Sequence, residues 1–274
     1  MSENPFRKKK KYGQNFLINK AVVDRIAAES GVTPDCGVLE IGPGDGALTA
    51  ALLGKAGKVV SVEIDDELIP VLEARFGADT RFSLVHADIL DVDISALIES
   101  RFGDMPVCVC ANLPYYITTP IIMKLLEGRY GFRSVTVMVQ KEVAARLCST
   151  DPAQCGAVTL AVNYYAAAKR LFTVSAGSFS PPPKVDSAVI KLTPYDSPPV
   201  DVCDEKLFFD IIRAAFGQRR KTLANALSSA FGFENRQAIA EAIAAAGTDP
   251  NTRGERLSLE EFAEITKKIN NINL

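Results

Sequence analysis

The chain has 274 residues, 47% of them hydrophobic and 23% charged, enough to bury a substantial core in one large domain and a smaller one. A formal net charge of −2 and a pI near 5.7 exclude a general attraction for polyanions, so a nucleic-acid partner has to be held by local patches. No uncharged apolar run approaches the roughly 20 residues that span a bilayer, and no apolar segment with a cleavage site follows the basic amino terminus, so the expectation is a cytoplasmic protein without membrane contact.

Short strand-like runs alternate with helical stretches through about residue 195, the pattern of an α/β fold with a doubly wound, Rossmann-like parallel sheet. The first basic patch is Arg7-Lys8-Lys9-Lys10-Lys11, and the bland reading of such a run is a solvated tail. A helix is expected at 19–31. The stretch Val38 to Thr49 then reads as a buried strand (37–42), a glycine turn and a helix start (46–56), with Gly42, Gly44 and Gly46 spaced Gly-x-Gly-x-Gly. Dinucleotide enzymes use Gly-x-Gly-x-x-Gly to cradle a pyrophosphate, so this spacing favours S-adenosyl-L-methionine over NAD.

The next strand, 58–64, carries Glu63 near its end, where a carboxylate can accept both ribose hydroxyls of a nucleotide, an arrangement NAD enzymes share. A helix at 66–76 leads to a strand at 82–87. Asp88 ends that third strand in His86-Ala87-Asp88-Ile89, placed to accept the cofactor's adenine amine. His86, the only histidine, is set aside as a general base, because it alternates with Asp88 in strand pattern and methyl transfer from a sulfonium needs no strong base before attack.

After a helix at 93–101 comes a strand at 107–111 and the tetrapeptide Asn112-Leu113-Pro114-Tyr115. An adenine amine is a poor nucleophile because its lone pair is delocalised into the ring. Accepting hydrogen bonds from its two N–H groups would assist it, and the Asn112 side-chain oxygen and the Leu113 carbonyl are suitable acceptors. Pro114 restricts Leu113 to extended conformations and so fixes its carbonyl, while Tyr115 offers a flat face to a base. Taken alone, the tetrapeptide also fits an ordinary strand exit.

Further on, helices are expected at 118–128, with Thr118 or Thr119 as cap and Pro120 in the first turn, and at 141–148. Strands follow at 134–140, 164–174 and 187–193. The last two have no convincing helix between them and would form an antiparallel hairpin at one edge, which points to methyltransferases within the Rossmann-like class. A proline-rich hinge, Pro194 to Pro199, precedes helices at 204–216, 219–230, 235–246 and 258–270, with Gly247 ending the third and Ser258 capping the fourth. The expected division is therefore 1–196, the cofactor-binding catalytic domain, and 197–274, a helical domain. The six cysteines, Cys36, Cys108, Cys110, Cys148, Cys155 and Cys203, lack paired Cys-x-x-Cys spacing and read as reduced, mostly buried thiols, and no metal is expected.

Taken in order, Gln14-Asn15-Phe16-Leu17, the Leu39 to Thr49 loop, Glu63, Asp88, Asn112 to Tyr115, Phe179 to Ser187 and Gln218 to Leu223 give the chain a near-full-length resemblance to the small-subunit ribosomal RNA adenine N6,N6-dimethyltransferases of the KsgA type. The resemblance implies dimethylation of the N6 amines of two adjacent adenines in the 3'-terminal hairpin of 16S rRNA during ribosome biogenesis. It implies that Asn15 and Leu17 contact the cofactor, that Gly42, Gly44, Glu63, Asp88 and Asn112 complete its site, and that Tyr115 and Phe179 sandwich the target adenine. Stacking of a swung-out base is worth about 1–3 kcal/mol, which agrees; Phe179 reads equally well as a core anchor for the proline turn. In this light Lys8, Lys9, Lys10, Lys11, Lys184, Arg219, Arg220 and Lys221 become phosphate contacts. The implied partner is an immature 30S-type subunit, engaged by a monomer. Two rivals share features: the large-subunit rRNA methyltransferases of macrolide resistance, and a non-catalytic RNA-binding factor on the same fold, for which a complete cofactor site would be superfluous.

Overall fold

The computed structural model describes residues 15–149, 151 and 154–272. Lys8, Lys9, Lys10 and Lys11 lie outside them. The chain forms two compact units, one from the residues up to Ala145 together with Ala167–Pro194, the other from Arg146–Ala166 and Tyr195–Leu274.

In the first unit, strand β1 (Phe16–Leu17) precedes helix α1 (Lys20–Glu29). There follow β2 (Gly37–Ile41), α2 (Ala47–Leu53), β3 (Lys58–Glu63), α3 (Ile69–Phe76), β4 (Phe82–His86), α4 (Ile94–Phe102), β5 (Val107–Asn112), α5 (Thr118–Glu127), β6 (Ser134–Gln140) and α6 (Lys141–Leu147). Helix α7 (Ala157–Tyr165) belongs to the second unit; β7 (Ala166–Val174), β8 (Phe179–Ser180) and β9 (Ser187–Pro194) complete the strands. The main sheet runs β4-β3-β2-β5-β6-β9-β7. Strands β2 to β6 pair in parallel and β9 is antiparallel to β6. The expected Rossmann-like α/β architecture is thus present, with its last two long strands neighbours at one edge.

Valine-rich strands buried on both faces are what a parallel sheet covered by helices requires. All of β2 is buried, as is β5 up to Ala111. Asn19 caps α1 by accepting from the N–H groups of Ala21 and Val22, and Asp93 caps α4 through Ala96 N–H. The pair β1 and β8 forms a separate small antiparallel sheet that sets Leu17 opposite Phe179.

Several expectations are corrected. Asp88 does not end a strand: β4 stops at His86, and Asp88 lies in the turn beyond it, accepting Leu90 N–H at 2.9 Å. Neither Thr118 nor Thr119 caps α5, because Ile117 holds that position and the Thr118 hydroxyl bonds back to the Pro114 carbonyl at 3.1 Å. Residues 164 and 165 end a helix instead of opening a strand. The Thr159 hydroxyl accepts Gly156 N–H at the start of α7, and Tyr164 and Tyr165 pack against Phe208 and Phe209 and donate to Glu205 at 3.2 and 2.7 Å, so tertiary packing outweighs the strand propensity of the aromatics.

The second unit continues with α8 (Glu205–Gly217), α9 (Leu223–Phe231), α10 (Arg236–Ala245) and α11 (Leu259–Asn270). Ser258 and Glu261 form a reciprocal capping box on α11. Arg219, Arg220 and Lys221 were expected inside a helix but occupy the turn between α8 and α9. Among the described cysteines none is in a disulfide, and most are buried as expected: Cys36, Cys108, Cys110 and Cys155 are buried, Cys148 is partly buried and Cys203 is exposed.

Candidate active site

The carboxyl ends of the parallel strands open into one cavity of about 1160 Å³, mouth included. Every catalytic and cofactor candidate named from the sequence lines it: Asn15, Leu17, Gly42, Gly44, Glu63, Asp88, Asn112, Leu113, Pro114, Tyr115 and Phe179. His86 does not line it, and no group of His, Cys, Asp and Glu among the described residues could hold a metal.

The glycine turn is built by backbone geometry that side chains resist. Gly42 has φ +66, and a Cβ there would meet nothing within 4 Å, so the backbone faces open space in which a ligand can approach it closely. Gly46 begins α2 at φ +83, and a Cβ would sit 2.4 Å from the Phe76 ring. Beneath the turn, Glu40 is fully buried. Its Oε2 accepts from Thr49 Oγ1 at 2.7 Å and Ser61 Oγ at 2.6 Å, while Oε1 has no partner. Burial pushes its pKa up to about 7, against the two hydroxyl bonds and with some help from the Glu63 charge.

Glu63 is 3% exposed, and its carboxylate already organises the wall. It accepts the N–H groups of Gly44 at 3.2 Å, Ile64 at 3.0 Å and Asp65 at 2.9 Å. Burial raises its pKa while these bonds oppose the rise. Three of about four acceptor sites are therefore in use, leaving room for one ribose hydroxyl unless the longest bond, to Gly44, gives way.

On the amine side, Asn112 Nδ2 donates to the Asn15 carbonyl at 3.3 Å, and Oδ1 accepts from no described residue. The Pro114 carbonyl closes the turn by accepting Ile117 N–H at 3.2 Å and the Thr118 hydroxyl; the Leu113 carbonyl takes no part in these bonds. Tyr115 is half-buried and its hydroxyl shares a 2.7 Å bond with Ser187 Oγ, which holds the ring. Phe179 is 3% exposed and belongs to the core beside Leu17, as the core reading expects, and it also lines the cavity.

Sequence reasoning missed several contributors. Phe16, Ile64, Ile89 and Tyr116 also line the cavity; the doubled Tyr115-Tyr116 was the available signal for the last. Lys124 of α5 donates to the carbonyls of Leu90 and Val92 at 2.6 and 2.8 Å, tying the turn after Asp88 to the helix that follows Tyr115. No local pattern announces a contact across more than thirty residues.

Of the basic candidates, Lys184 is exposed in the loop between β8 and β9. Arg219, Arg220 and Lys221 are exposed in the second unit. Arg219 pairs with Glu255 at 3.2 Å and Lys221 Nζ reaches Ser229 at 3.4 Å, whereas Arg220 bonds no described residue.

The family model described as ribosomal RNA adenine dimethylase matches residues 5–271. The sequence is 45% identical to the ribosomal RNA small subunit methyltransferase A of Shouchella clausii over 269 residues, 97% of this chain and 91% of that protein. It is 46% identical to the protein of the same name from Geobacillus thermodenitrificans, over 96% of this chain and 92% of that one. Among solved structures, a dimethyladenosine transferase from Plasmodium falciparum superposes with a TM-score of 0.75 at 25% identity, covering 93% of this chain and 97% of that one. The 23S rRNA methyltransferase ErmE superposes at 0.70 with 24% identity, covering 93% and 100%, a likeness of fold.

Proposed function

The chain belongs to the ribosomal RNA adenine dimethylase family, and from that premise we propose that it transfers methyl groups from S-adenosylmethionine to the N6 amines of two adjacent adenines in the 3'-terminal hairpin of small-subunit rRNA. The observation that carries this reading is a single cavity that joins the Gly42 turn, Glu63 and Asp88 to Asn112 Oδ1, a side-chain oxygen that accepts from no described residue. The residues fit the cofactor: the Gly42 backbone faces open space, Glu63 keeps one acceptor site for a ribose hydroxyl, and the second oxygen of Asp88 can take the adenine amine.

When bound, S-adenosylmethionine supplies a methyl group on a sulfonium whose departure drives the transfer. This chain's residues supply position. Asn112 Oδ1 and the Leu113 carbonyl accept the two N–H bonds of the amine, which draws its lone pair out of the ring and aims it. Tyr115 and Phe179 hold the base by stacking. The surplus proton leaves to water through the open mouth, so no strong base is required. A monomethylated amine keeps one N–H, and one acceptor still orients it for the second transfer.

The reading extends to Lys8 to Lys11, Lys184 and Arg219 to Lys221 as phosphate contacts, with residues from 197 onward forming the RNA-contacting part and 1–196 the catalytic part. It also extends to an immature 30S-type subunit as the particle recognised, to a monomeric enzyme and to the cytoplasm. Among the described residues, no helix is long and apolar enough to cross a membrane. The test is transfer of labelled methyl groups from S-adenosylmethionine to undermodified small subunits, followed by nucleoside analysis. N6,N6-dimethyladenosine in small-subunit RNA is the expected product. Label only in large-subunit RNA would mean the resistance-type enzyme, and none in either would revive the binding factor.

A further inference from the structure

In the first unit, few large apolar side chains among the described residues face solvent. Its exposed large hydrophobics, among the described residues, are Ile18 at 61%, Ile64 at 40%, Tyr116 at 66% and Val185 at 46%. Ile64 and Tyr116 line the cavity. Ile18 follows the lining residue Leu17, and its N–H donates to the Ser178 carbonyl beside Phe179. Val185 lies two residues before Ser187, whose hydroxyl bonds Tyr115. Of the four, Ile64 and Tyr116 thus form exposed apolar parts of the rim of a site whose proposed substrate is a polynucleotide.

Tyr116 is the one aromatic in that rim. Its backbone is fixed by the turn in which Ile117 N–H donates to the Pro114 carbonyl, and its hydroxyl bonds no described residue. The neighbouring Tyr115 is tied to Ser187; Tyr116 has both position and freedom to present a face. Drawing an adenine out of its stack leaves the adjoining base with a bare face, at a cost of a few kcal/mol in lost stacking. An aromatic ring at the mouth can restore it, and every base has a π-face, so the contact needs no sequence match.

We propose that Tyr116 is the stacking platform for the nucleobase that flanks the target adenine. The proposal rests on the adenine-in-RNA reading of the cavity. It names a contact at the exposed edge of the cavity, apart from the groups that hold the reacting amine.

The test uses the full chain and small subunits reconstituted with undermodified rRNA, either intact or carrying an abasic residue at each flank of the target in turn. KM for the subunit, kcat and S-adenosylhomocysteine affinity are measured for wild type, Tyr116→Phe and Tyr116→Ala. The stacking range translates into about a 5- to 150-fold rise in KM for Tyr116→Ala, with Tyr116→Phe close to wild type and S-adenosylhomocysteine affinity unchanged in both. With the abasic subunit at one flank, wild type should weaken to the level of Tyr116→Ala, and the variant should lose little more. An unchanged KM in Tyr116→Ala, or equal further loss on every abasic subunit, overturns the platform while wild-type methylation still stands. If wild type itself forms no N6,N6-dimethyladenosine on intact subunits, the reading beneath the proposal fails, and the proposal with it.

Discussion

Glu40→Gln should change how stability depends on pH, in a direction fixed by the burial of this carboxyl. In the folded chain Glu40 ionises at about 7 instead of the ordinary 4.5, chiefly because it is buried. Between those two pH values the unfolded chain has released a proton that the folded chain retains. Stability contributed by Glu40 is therefore fully present below pH 4.5 and lost as pH rises through 7. At about 1.36 kcal/mol for each tenfold change in proton affinity, the loss comes to roughly 3 kcal/mol. Glutamine keeps an acceptor for Thr49 and Ser61 and cannot ionise, though it places an amide where Oε1 has no partner, at a cost of about 1–3 kcal/mol independent of pH. Urea unfolding of both proteins, followed by far-ultraviolet circular dichroism from pH 4.5 to 8, isolates the effect, because groups shared by the two proteins cancel in the difference. The stability of the variant relative to wild type should rise by roughly 3 kcal/mol across that range. A difference that stays constant would refute the assignment of a buried, proton-retaining carboxyl beneath the glycine turn.

Lys124→Met removes two donors from the turn after Asp88 and leaves the carbonyls of Leu90 and Val92 without them. Calorimetric titration should show S-adenosylhomocysteine binding about tenfold weaker, with stability lower by about 1–3 kcal/mol; unchanged affinity would show that the turn holds its shape without the lysine. Replacing Arg219 and Arg220 together with Ala should weaken RNA binding and reduce the slope of log K against log salt by about one to two. Arg220 should account for more of it, because Arg219 is shared with Glu255, and an unchanged slope would return the turn to an ordinary solvated surface.

The parallel strands were legible because runs such as Val-Leu-Glu-Ile and Val-Cys-Val-Cys are buried on both faces and end where the cofactor candidates begin. The glycine spacing announced a turn that only residues tolerant of positive φ can make, and the tetrapeptide announced its acceptors by chemical type. Other features depend on contacts that no local pattern encodes. Strands β1 and β8 have two residues each, too short for periodicity to register, yet they bring Leu17 to Phe179. Helix α7 carries valines and tyrosines that favour strands in isolation and becomes helical by packing on α8. The bond from Gly44 N–H to Glu63 appears only once β2 and β3 lie side by side, in contrast to the local bonds from Ile64 and Asp65. Tyr116 stands next to Tyr115 in the chain, and only its exposure separates the two.

In the proposed mechanism, Asn112 Oδ1 is an acceptor for the target amine. The most direct test of that role is single-turnover methyl transfer by Asn112→Ala at saturating S-adenosylmethionine and undermodified subunit, with subunit affinity measured alongside. Loss of orientation at the reacting nitrogen predicts a rate lower by about 100-fold, with much of the subunit affinity retained. A rate within a few-fold of wild type would contradict the role given to Asn112 and, with it, the mechanism built on the cavity.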